Sequence, residues 1–188
     1  KEQGKTKIED LAKEKGYKVV NTKADIEGLK NGEKSIAVCP DDEVEKESGA
    51  LKYNLDRTNK DLSLADYTKK GIEVLNNDKG FFMMVECGKI DWAGHANDAG
   101  SNINETKMLS DSVQQAIDFY NEHPNETLIL VTGDHETGGL TIGFAGTNYD
   151  TYLQNLSNQK ESYTAFDRKI EEYRKNNTSF DDAMKDVE

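Results

Sequence analysis

Apolar positions along the chain follow more than one period. Leu64, Tyr67, Thr68, Gly71, Ile72 and Leu75 recur at helical spacing, which predicts an amphipathic helix from Ser63 onward. Leu109, Val113, Ala116, Ile117 and Tyr120 do the same and predict a long helix over 104–122, ended by His123, Pro124 and Asn125. Between these helices lies a continuous apolar run, Phe81 to Val85, and after the second lies another, Leu128 to Val131. Both runs are short and bounded by turn residues, so each is expected to be a strand buried on both faces. Strand, helix and strand at this spacing predict a βαβ unit in a parallel sheet.

Upstream the pattern is weaker. A short helix is expected over 6–15, stopped by Gly16, then a strand over 17–20, a helical turn over 25–29 and a strand over 35–38. The stretch 39–60 is polar and without period. Beyond residue 147 the composition turns polar and helical, with Tyr163, Phe166, Ile170 and Tyr173 on one face and Phe180, Ala183, Met184 and Val187 on the next. The expected division is therefore an α/β core over 1–147 and a helical tail or insertion over 148–188.

The chain has 188 residues, which suits one domain or two small ones, and a net charge of −12. Such an acidic chain is unsuited to nucleic acid or an anionic membrane. No apolar stretch has the length of a membrane span. The first ten residues lack the apolar core of a secretion signal, so one is either lacking or removed. The two cysteines, Cys39 and Cys87, cannot supply a four-cysteine zinc site. With His95, His123 and His135 as the only histidines, any metal chemistry must lean on carboxylates.

The candidate chemistry lies just past the expected strands. Glu86 to His95 comes after the first, and Gly133 to Gly139 after the second, at the sheet edge where ligands bind in open α/β folds. Asp91 precedes His95 by one helical turn, and Asp134 directly precedes His135. Paired carboxylate and imidazole suit zinc or another divalent transition metal, whereas Glu86 offers oxygen suited to magnesium. Surface placement of these histidines is the competing reading, and His123, in a polar turn, fits it. The surrounding glycines are turn residues or a means of close backbone approach.

Phe81, Phe82, Met83, Met84, Val85, Glu86, Gly88, Ile90, Asp91, Gly94 and His95, followed by Val131, Thr132 and Asp134 to Gly139, resemble the metal-binding core of the alkaline phosphatases. The resemblance implies a partial three-layer α/β sandwich with a mainly parallel sheet, in which 1–147 is part of a metallophosphatase core. It implies that Asp91 and His95 bind one zinc, Asp134 and His135 a second, and Glu86 a magnesium, all three sites being incomplete. Trp92 falls at a variable position in the phosphate environment. Cys87 stands where a glycine is common.

The family mechanism also uses a serine nucleophile, a phosphate-clamping arginine and a further zinc-ligand histidine. The Asp111-Ser112 pair has the nucleophile's dipeptide but is expected to be a solvated pair inside the long helix. No arginine is in a clamp context, and no histidine follows His135. The chain is thus expected to be an interior and C-terminal fragment, inactive by itself, of an exported enzyme acting on phosphate monoesters. Self-association through an exposed sheet edge is expected, and Cys39 and Cys87 are expected to stay unlinked. The rivals are another member of the same superfamily (phosphoglycerate mutase, sulfatase or nucleotide pyrophosphatase) and a non-catalytic metal-binding module.

Overall fold

Ser63 and Asp66 close a reciprocal capping box, each side chain accepting the other residue's backbone N–H, and this starts helix α3 (Leu64–Leu75). A computed structural model describes residues 7–40, 44–45 and 48–187. Before α3 the chain forms α1 (Ile8–Glu14), β1 (Lys18–Val20), α2 (Lys23–Glu27) and β2 (Ser35–Ala37). Thr22 caps α2 by accepting the Asp25 N–H. The two strands run parallel, with Lys18 opposite Ser35 and Val20 opposite Ala37. Helix α3 spans Leu64–Leu75. After it come α4 (Lys89–His95), α5 (Ala99–Glu122), α6 (Tyr163–Lys175) and α7 (Phe180–Val187). Among the described residues no helix is long and apolar enough to cross a membrane.

The fold is α/β and divides into two compact units. The first comprises described residues up to Lys52, then Arg57–Cys87 and Thr106–Gly133. Its core is Val20, Ile26, Leu29 and Leu62, flanked by Tyr67 and Val74. The loop between α2 and β2 is pinned to the end of α3, where Gly32 N donates to Val74 O and Asn31 Nδ2 to Glu73 O.

The expected strands over 81–85 and 127–132 are extended but carry no ladder among the described residues. Nor are they buried on both faces. Phe81, Met83 and Val85 are half-buried, while Phe82 is 87% exposed and Met84 stands out beside it. Thr127 and Ile129 are half-buried, and Leu128 and Leu130 are more than four-fifths exposed. One face has a covering layer: Phe81 packs edge-on against Phe119 of α5, and Met83 fills the space that a side chain at Gly71 would need. The described residues put nothing on the other face, so the alternation of a one-sided strand replaces the expected two-sided burial. The sheet seen is β1 with β2, not the expected βαβ unit around α5.

The second unit comprises Tyr53–Asp56, Gly88–Glu105 and the chain from Asp134 onward. Polar anchors hold it. Asp98 accepts hydrogen bonds from Ser101 N, Gln159 Nε2 and Tyr163 N, and Asp56 accepts from Ser162 N. Glu105, fully buried, accepts the Asn54 N–H at 2.6 Å. Ser162 in turn caps α6 through Ala165 N. Because Asp98 caps its first turn, α5 starts at Ala99 and not at the expected residue 104.

Candidate metal centre

Five of the six residues singled out for metal or substrate lie on two short segments of the second unit. Asp91 and His95 are on α4, a helix too short for its apolar period to show in the sequence. At one-turn spacing they share a face, with Asp91 Oδ1 3.5 Å from His95 Nε2. Asp134 and His135 are on the loop that follows the second extended run, with Asp134 Oδ2 3.7 Å from His135 Nε2. All four side chains reach solvent.

Glycines let the two segments meet. Gly138 has φ +82°, and a Cβ there would strike the Gly94 carbonyl. A Cβ on Gly94 would lie 2.7 Å from the Thr137 carbonyl oxygen. This approach sets Thr137 beside both motifs. Its hydroxyl donates to Asp91 Oδ1 at 2.6 Å, and its oxygen lies 3.1 Å from His135 Nδ1. Sequence reasoning includes Thr137 in the motif but gives it no role; its hydroxyl next to two ligand-type residues is the available signal.

His135 Nδ1 also lies 3.0 Å from the Glu136 carbonyl oxygen. A carbonyl only accepts, so Nδ1 carries the proton, and in the neutral ring Nε2 keeps its lone pair. The Glu136 carbonyl first, then the Asp134 carboxylate, hold the imidazole above its ordinary pKa.

The donor types and spacing fit a divalent cation. Two ligands of a tetrahedral zinc at ~2.0 Å lie about 3.3 Å apart, close to the separations within the Asp91–His95 and Asp134–His135 pairs. Orientation of a ligand imidazole through its other nitrogen, as at His135, is the usual arrangement around bound metal. Among the described residues no three His, Cys, Asp or Glu side chains gather in a metal-sized group.

Of the six, only Glu86 lies off these segments. Glu86 belongs to the first unit and is exposed. Trp92, on α4, is 40% exposed. His123, expected at the surface, is half-buried with its ring 4.5 Å from that of Phe119. Asp111 is exposed, but Ser112 is buried and donates its hydroxyl to the Met108 carbonyl. The pair is therefore not wholly solvated as expected; the helix's own carbonyl satisfies the hydroxyl and permits burial. Cys39 and Cys87 are not joined in a disulfide.

The family model described as alkaline phosphatase matches residues 1–188. Alkaline phosphatase 4 of Bacillus subtilis is 40% identical over 135 residues, covering 71% of this chain and 27% of that protein. The repressible alkaline phosphatase of Saccharomyces cerevisiae is 34% identical over 135 residues, covering 65% of this chain and 24% of that one. Among solved structures, a cold-active alkaline phosphatase from a psychrophilic Shewanella species matches with a TM-score of 0.70 and 29% identity. That match covers 81% of this chain and 36% of the other. The chain thus spans about a quarter of the length of these curated relatives. Matched along its whole length, and sharing the relatives' fold, the chain belongs to the alkaline phosphatase family.

Proposed function

We propose that this chain carries the metal-ligand motifs of a phosphatase that hydrolyses phosphate monoesters through a phosphoserine intermediate, with two zinc ions and one magnesium. The observation that carries the reading is the Thr137 hydroxyl, which joins Asp91 of one motif to the loop of His135 in the other. Asp91 and His95 present a carboxylate oxygen and an imidazole to one zinc, and Asp134 and His135 to the second. His135 keeps Nε2 available because its Nδ1 proton is engaged by the Glu136 carbonyl. Glu86 supplies a carboxylate for magnesium. Bound zinc would supply Lewis-acid stabilisation of the attacking and leaving oxygens.

The 188 residues do not turn over substrate by themselves in this proposal. Ser112 is buried inside a helix with its hydroxyl committed to Met108, so it is not a nucleophile. No third histidine accompanies His95 and His135 in the motifs. The enzyme acts in the periplasm or outside the cell.

Two measurements test this. Zinc titration against a competing chelator should show binding that Asp91→Asn and His135→Gln each weaken; unchanged affinity in both variants would overturn the ligand assignment. A chromogenic phosphate monoester, assayed at alkaline pH with zinc and magnesium, should give no turnover above background. Turnover that tracks the purity of the chain would overturn the inactivity.

A further inference from the structure

Helix α4 carries the chain's single tryptophan, Trp92, and a buried lysine, Lys89, on the same face. Lys89 is only 7% exposed. Its Nζ stands 3.6 Å above the centre of the Tyr53 ring and 5.6 Å from that of the Trp92 indole. Both distances lie within the ~6 Å reach of a cation–π interaction. Tyr53 is fully buried and meets Tyr163 edge-on, with ring centres 5.6 Å apart. Tyr163 is tied to Asp98 through its backbone N–H. A column therefore runs from Tyr163 through Tyr53 and Lys89 to Trp92.

An ammonium withdrawn from water is unfavourable unless its surroundings compensate it. At Lys89 part of that compensation comes from two aromatic faces. One face is immobilised in the core of the unit. The other belongs to a residue that is partly open to solvent and directly follows Asp91.

We infer that Lys89 is a positioning residue for Trp92. It transmits the fixed position of Tyr53 to the indole and holds the indole as a rigid, partly exposed aromatic surface on α4. The role requires no bound metal, so it stands apart from the proposed ligand assignments.

Trp92 is its own reporter, because no other tryptophan contributes to the emission. Fluorescence and acrylamide quenching are compared for the full 188-residue chain, K89M and K89R, with far-UV circular dichroism as a check on folding. In K89M the held indole should fall in population by on the order of tenfold, seen as red-shifted emission and stronger quenching. K89R, which keeps a cation over both rings, should retain the original emission and quenching. K89M with unchanged emission and quenching overturns the inference. So does a K89R spectrum displaced as far as that of K89M. If K89M does not fold, K89R decides: an unchanged spectrum supports the role and a displaced one overturns it.

Discussion

Thr137 Oγ donates a 2.6 Å hydrogen bond to Asp91 Oδ1, across 46 positions of sequence. Partners of this kind orient metal ligands, and their removal typically lowers metal affinity ~10–100-fold. On the proposed assignment of Asp91 to a zinc, Thr137→Val, which keeps the shape and removes the hydroxyl, should lower zinc affinity within that range. Thr137→Ser should restore it. Chelator competition measures both, and a valine variant with full affinity would reduce Thr137 to packing.

The backbone contact beneath that bond makes a second prediction. Gly138 and Gly139 both have positive φ, but only Gly138 has an atom within reach of an added Cβ, the Gly94 carbonyl. Alanine at either site incurs the left-handed penalty of roughly 1–2 kcal/mol. Gly138→Ala should lose more, because it must also push the loop off α4. Urea unfolding of the two variants separates strain from clash; equal losses would mean that the close approach is unimportant.

Some of this is legible in the sequence and some is not. The period of α3 and the two His-bearing motifs depend on neighbouring residues, and local pattern reveals them. Phe81–Val85 looks doubly buried because an apolar run records hydrophobicity and not what covers it. Helix α4 has too few turns for Ile90 and Ala93 to mark a period. The start of α5 escapes because Asp98 reads as a charge and not as a cap. Thr137 and Lys89 act through partners distant in sequence, and no spacing rule reaches those contacts.

Acid should destabilise the second unit through Asp98. Partial burial pushes its carboxyl up, but hydrogen bonds from Gln159, Ser101 and Tyr163 prevail and hold it below the ordinary carboxylate value. A depressed folded pKa contributes stability at neutral pH that is lost as pH falls through it. The melting temperature should therefore decline below about pH 4, where unfolded Asp titrates. Asp98→Asn presents N–H groups to converging N–H donors and should lose about 1–3 kcal/mol at neutral pH. Its acid limb should be shallower than that of the unmodified chain. Parallel limbs would mean that other carboxylates govern the acid transition.

The exposed apolar faces of the two extended runs predict self-association. Phe82, Met84, Leu128 and Leu130 project from backbone that has no ladder partner among the described residues. Unpaired, apolar, extended segments of this kind template pairing with another chain. The net charge of −12 opposes that encounter. At ~0.15 M salt charge repulsion is screened beyond about 8 Å, and at 1 M beyond about 3 Å. Light scattering after size exclusion should therefore show a larger average mass as protein and salt concentration rise. The double substitution F82K and L128K adds charge to both faces and should shift the chain toward monomer at every salt concentration. A monomer at high protein and high salt would show that these faces do not pair.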